Sequence, residues 1–260
     1  MVISVCAYYF LKKKHLDFAR IGMKLGITIA FVMAILQLFS ADSSARLVAK
    51  YQPAKLAAME GIYQTQSHAP MSLIGWPDSE TEEVHAIQIP GLLSFLIGRS
   101  VAQPVVGLDQ FPKSDWPNVP AVFQFYHVMI YMWCGMFLGA ILGFILWKRK
   151  ALEKGKWIHR YLVLCVAFPF IANEVGWFTA EMGRQPWIVY KLLRTPQGVS
   201  QNISRNQVFG SIMMFLVIYS FLFLMFIFLL DKKIKHGPEE TKKPDEATIY
   251  QNPFSTKSTE

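Results

Sequence analysis

Phe170, Glu174, Trp177, Phe178 and Glu181 fall on one face of a helix by the i, i+3, i+4 and i+7 rule, which sets two carboxylates among three aromatic rings. Glu174 lies inside an apolar segment long enough to enter a membrane. A carboxylate at that depth is costly unless a cation or a metal stands beside it. An aromatic-lined acidic stripe suits a flat cofactor with a metal at its centre. The same residues also suit a packed helix interface, with Glu174 paired to an arginine on a neighbouring helix and Glu181 at the water line. The segment closes on Gly183-Arg184-Gln185-Pro186-Trp187, a break where a helix meets the interface.

Upstream, Met129 shares a helical face with Tyr126, Met132 and Trp133, while His127 points to another side. A thioether is an axial ligand for haem iron, and a methionine in a membrane helix equally serves as core packing. Lys55 and Glu60, in QPAKLAAMEG, lie about 140° apart round a helix. They are therefore not a standard ion pair; they could flank a ligand with a donor and an acceptor, or sit on a solvated surface helix. Cys6, Cys134 and Cys165 lie in apolar runs without paired spacing and read as packing residues. No phosphate-binding glycine loop, nucleophile elbow or clustered Cys/His motif occurs.

The elements that must position these residues are membrane helices. The sequence is 53% hydrophobic and 17% charged, a membrane profile. Its net charge of +8 gathers in short basic runs beside apolar segments, which argues for membrane orientation and against nucleic acid as a partner. The expected fold class is an all-α integral membrane protein with four full transmembrane helices and a short N-terminal half-helix, Met1 to Leu11. Residues 1–40 hold that half-helix and the first full span, about Ile21 to Phe39. Residues 41–120 form a large extracytoplasmic loop in which Gln52 to Gly61 is the best helical piece. Residues 121–231 hold three spans: about Ala121 to Trp147, about Trp157 to Ala180, and about Val208 to Leu230. Residues 232–260 read as a disordered cytoplasmic tail. Lys12 to Lys14, Lys148 to Lys150 and Lys232 to Lys235 mark the cytoplasmic edges. The outer connector breaks this pattern, with Arg184, Lys191, Arg194 and Arg205 against one acid, and calls for an anionic partner.

Six stretches in order, AYYFLKKKHLDFAR, YQPAKLAAMEG, IQIPGLLSFLIGR, GLDQFP, YHVM and NEVGWFTAEMGRQPW, resemble subunit I of the cytochrome bd family of quinol oxidases. The likeness runs to about Gly237 and covers only the C-terminal half of that subunit. It implies a multi-pass protein of the prokaryotic cytoplasmic (inner) membrane whose outer loop oxidises quinol. Lys55 and Glu60 then stand where the family binds and deprotonates quinol. Met129 becomes one axial ligand of a low-spin haem b, Glu174 the ligand of a high-spin haem b, and Arg184 a partner for haem propionates. His127 and Trp177 belong to the same cofactor surroundings. A third haem of d or b type, oxygen and membrane lipid complete the expected partners.

Three departures qualify the likeness. His127 stands where family members carry an arginine two residues before the axial methionine. The family histidine opposite that methionine lies upstream of AYYFL and is not in this sequence. The outer loop also lacks the long insertion of some members. The expectation is a chain that needs an N-terminal-half subunit I chain to complete its haem sites, and a subunit II-like chain beside it. The rival readings are a non-catalytic paralogue acting as a membrane scaffold or assembly partner, and a b-haem quinone-reactive membrane anchor.

Overall fold

The computed structural model describes residues 1–200 and 202–237. Helix α1 (Val2–Lys12) buries Cys6, Ala7, Tyr9 and Phe10. It turns at Lys13 and His15, both with positive φ, into α2 (Leu16–Tyr51), against which it packs. At about 1.5 Å per residue, the 36 residues of α2 exceed a hydrocarbon core of roughly 30 Å and project beyond it. The sequence places the end of this span at Phe39, but Ser40 to Tyr51 contain no glycine or proline. The first breaker is Pro53, and the helix stops two residues before it. The projecting turns carry Asp42, which bonds Arg46 at 2.7 Å and Arg99 at 2.5 Å and so ties the expected outer loop to the helix.

The outer loop has a core of its own. Helix α3 (Pro53–Glu60) starts with proline in its first turn and ends at Gly61, φ 70°, in the segment the sequence marks as helical. Its Leu56 and Ala57 pack with Leu93, Val105, Leu108 and Val122. The loop also holds an antiparallel hairpin that the all-α reading does not anticipate, β1 (Met71–Asp78) paired with β2 (Glu83–Ile89). Ser72 faces Gln88 and Ile74 faces Ile87, so Leu73 is the extra residue of a bulge. A short helix, α4 (Leu92–Gly98), follows and reaches Arg99.

Helix α5 (Val119–Lys148) is capped by Asn118, whose side chain accepts from the Ala121 amide at 3.2 Å, and it ends in the basic run at Lys148. The return segment, expected as one span, is two helices: α6 (Lys156–Leu164) and α7 (Phe168–Met182). Pro169 sits in the first turn of α7; it has no N–H to continue the ladder, and the chain breaks over residues 165–167. Helix α7 packs along α5. Two short strands, β3 (Trp187–Val189) and β4 (Leu193–Arg194), form the outer connector, and Arg194 bridges back to Asp115 of the loop.

The chain divides into a unit of Met1–Gly210 and a second beginning at Ser211. Helix α8 (Arg205–His236), described by itself, is uncharged from residue 206 to 230. It continues through residues 232–236, the start of the expected tail; residues 238–260 lie outside the described residues. Among the described residues, four helices are thus long and apolar enough to cross a membrane, counting α6 and α7 as one. The described residues are mostly helical, with two small sheets in the segments that join the long helices.

Candidate functional site

Glu60, the last residue of α3, is 1% exposed. The Tyr126 hydroxyl of α5 and the backbone N–H of Ser72 are hydrogen-bonded to its carboxyl, and Oε2 is buried with no partner. Loss of water pushes its pKa up to about 7, against the pull of those two hydrogen bonds. A carboxyl poised near neutrality with one free oxygen is matched to accepting a proton from a hydroxyl that titrates higher.

Lys55, on the same short helix, faces the end of α7. Its Nζ donates to the Ala180 carbonyl at 3.1 Å. A Cβ on Gly183 would lie 3.0 Å from Lys55 Cγ, so the missing side chain there lets the lysine stem approach. Burial lowers the Lys55 pKa, repulsion from Arg184 lowers it further, and Glu181 opposes both. Arg184 is bridged to Glu181, three residues back, while its own Nε is buried without a partner. Glu181 therefore answers Arg184 rather than standing free on the aromatic stripe. The Arg184 Nε is a buried donor in need of an acceptor.

The third station lies between α5 and α7. Met129, Glu174 and Trp177 line one open concavity of ≈ 710 Å³, together with Ala172, Asn173 and Gly176. A Cβ on Gly176 would stand 3.0 Å from Met129 Sδ, so the thioether depends on that glycine for its place. Phe178 of the stripe stacks on Phe125 of α5 at 5.2 Å. Trp177 is 58% exposed, and Phe170 and Glu174 are exposed as well. Among the described residues no cation pairs with Glu174. A soft sulfur, an unpaired carboxylate and a flat indole on one surface form a donor set that fits an iron porphyrin.

His127 lies apart from that concavity and is buried at 2% exposure. Its Nδ1 meets the Phe123 carbonyl at 2.8 Å and its Nε2 the Ser72 carbonyl at 2.9 Å. The roughly 200° rotation between positions 127 and 129 accounts for the difference: Met129 faces α7, and His127 faces the hairpin. No motif in the sequence marks Ser72, and helical spacing places Tyr126 only on Met129's face. Tyr126 combines both, three residues before Met129 and bonded to Glu60. The signal available was a polar stripe on α5, Gln124, His127 and Tyr131, at i, i+3 and i+7.

Residues 1–238 match the family model described as cytochrome bd terminal oxidase subunit I. The chain is similar to the cytochrome bd ubiquinol oxidase subunit 1 of Bacillus subtilis, 31% identical over 98% of this chain and 56% of that protein. It is also similar to a putative cytochrome bd menaquinol oxidase subunit I of the same organism, 32% identical over 88% of this chain and 52% of that one. The solved structure of bd oxidase from Geobacillus thermodenitrificans superposes with a TM-score of 0.79 at 29% identity, over 91% of this chain and 54% of the other. The chain thus spans about half the length of the relatives it matches. With the family model covering nearly all described residues and the fold superposing on a solved relative, the chain belongs to the cytochrome bd terminal oxidase subunit I family.

Proposed function

We propose that this chain is the quinol-oxidising and haem-ligating part of a respiratory quinol:oxygen oxidoreductase. It acts together with the remaining half of the family subunit. The observation that carries this reading is Glu60, a buried carboxyl with an unpartnered oxygen, set in an outer loop docked on the two helices that bear Met129 and Glu174.

Lys55 and Glu60 divide the work on quinol. The Lys55 ammonium has three donors and gives one to Ala180, which leaves two for a quinol oxygen. Glu60 Oε2 accepts the other hydroxyl proton, and its exclusion from water keeps the carboxyl protonatable near neutral pH. The proton then leaves on the outer side, the face on which the loop lies. Met129 would hold the iron of a low-spin haem b through its thioether. Glu174 would hold the iron of a high-spin haem b, with Trp177 beside it, and Arg184 Nε would donate to a propionate. When bound, the haems supply electron transfer and oxygen reduction, with a third haem of d or b type outside these residues. A subunit II-like chain completes the complex.

The test is the reduced-minus-oxidised spectrum of the purified complex carrying Met129→Leu or Glu174→Ala. Met129→Leu is expected to remove the low-spin signal and Glu174→Ala the high-spin one. Both variants keeping every haem signal would refute the ligand assignment.

A further inference from the structure

Three α5 side chains of one face reach three backbone carbonyls of β1. Gln124 Nε2 donates to Gly75 at 2.8 Å, His127 Nε2 meets Ser72 at 2.9 Å, and the Tyr131 hydroxyl donates to Leu73 at 2.5 Å. The bulge explains why the Leu73 carbonyl is available. Leu73 is the residue with no cross-strand counterpart, so its backbone groups need partners from outside the ladder. His127 stands in the middle of the stripe, stacked on Phe123 with ring centroids 3.9 Å apart and its Nδ1 2.8 Å from the Phe123 carbonyl. A neutral ring carries one N–H, and in the Nε2–H tautomer it donates that proton to the Ser72 carbonyl while the stack on Phe123 holds the ring from its own helix.

Ser72 is the link to Glu60. Its backbone N–H is hydrogen-bonded to the Glu60 carboxyl, and its hydroxyl donates to the Glu60 carbonyl at 3.3 Å. That hydroxyl accepts in turn from Gln88 Nε2 of β2 at 3.2 Å. A residue whose N–H points at the carboxyl and whose C=O is gripped by His127 has its peptide plane oriented from both sides.

We propose that Gln124, His127 and Tyr131 form a clamp on β1, and that His127, through the peptide of Ser72, is a positioning residue for the Glu60 carboxyl. Tyr126, next in sequence to His127, bonds the same carboxyl directly, so adjacent residues of α5 hold Glu60 by two routes. This assigns His127 to the quinol side of the chain rather than to the haem surroundings. The kinetic half of the proposal rests on the quinol-oxidase reading above; the structural half does not.

The experiment uses the complex purified from membranes with His127→Phe, which retains a ring over Phe123 but has no ring nitrogen, and His127→Gln, whose amide can reach Ser72. Hydrogen–deuterium exchange of peptides covering residues 71–78 reads the clamp itself. His127→Phe is expected to raise exchange there about tenfold, as for the loss of one buried hydrogen bond, and His127→Gln to restore most of the protection. Anaerobic haem reduction by quinol is expected to slow about tenfold in His127→Phe, while the dithionite-reduced low-spin spectrum and its midpoint potential stay at the native values. Unchanged exchange in residues 71–78 would overturn the clamp. A shifted low-spin spectrum with native quinol kinetics would overturn the assignment to the quinol side. If the native complex oxidises no quinol, the functional reading fails and the exchange result still decides the clamp. Should His127→Phe not assemble, Tyr131→Phe removes only the hydroxyl bonded to Leu73 and carries the same exchange test.

Discussion

Glu60 offers the sharpest test of the proposed chemistry, because its environment dictates a particular pH profile. A carboxyl with pKa of about 7 is roughly 9% ionised at about pH 6 and roughly 91% at about pH 8. If the carboxylate is the base that takes the quinol proton, electron entry should rise about tenfold across that interval and level off above it. At the ordinary value of 4.5, the same carboxyl would be ionised throughout and the rate would be flat. The assay is stopped-flow reduction of the low-spin haem by quinol under anaerobic conditions, with dithionite reduction as the control that bypasses the quinol site. Glu60→Gln keeps the shape and removes the base, so the rate should fall by about 10²-fold or more and lose its pH dependence. Tyr126→Phe removes a hydrogen bond that favours the ionised form. The sign follows: the pKa rises, and the midpoint of the profile moves to higher pH by about one to two units, for a charge-assisted bond of roughly 1.5–3 kcal/mol. A flat profile in the native complex, or a Tyr126→Phe midpoint displaced to lower pH, would refute the assignment of Glu60 as the base.

Two further outcomes follow from the contacts of Met129 and Lys55. Gly176→Val forces a branched side chain against Met129 Sδ, where even a Cβ would be 3.0 Å away. The low-spin spectrum should broaden or vanish while the high-spin signal remains, and an unaltered low-spin spectrum would show that this glycine does not set the thioether's position. Lys55→Gln keeps a donor for the Ala180 carbonyl but removes the cation. The KM for quinol should rise about tenfold, as for loss of a charged hydrogen bond, with a smaller change in kcat, and an unchanged KM would remove Lys55 from the binding site.

What the sequence made legible follows from periodicity and charge. Apolar runs bounded by Lys12 to Lys14, Lys148 to Lys150 and Lys232 to Lys235 located the spans, because desolvation of the backbone leaves helices as the simplest crossing structure. The Gln52 to Gly61 helix was readable from Pro53 at its start and Gly61 at its end. The hairpin was not, since the bulge at Leu73 interrupts the clean alternation that announces such an element. The break at residues 165–167 was marked by Pro169, but the hydropathy of the surrounding run hid it. For the site, helical spacing correctly separated His127 from Met129. It could not bring Tyr126 to Glu60, nor Lys55 to Ala180, because those meetings depend on how the loop folds back over the helix ends.

The seat of Lys55 on Ala180 has a consequence for assembly. Glu174 and Ala180 lie on one unbroken helix, about 9 Å apart along its axis. The Lys55 ammonium also meets the last turn of α7, where backbone carbonyls lack intrahelical partners. The loop therefore has no finished landing place until α7 has formed its final turn. A displacement of α7 therefore undocks Lys55 as well, so the position of the helix that carries Glu174 is felt in the loop through a single backbone carbonyl.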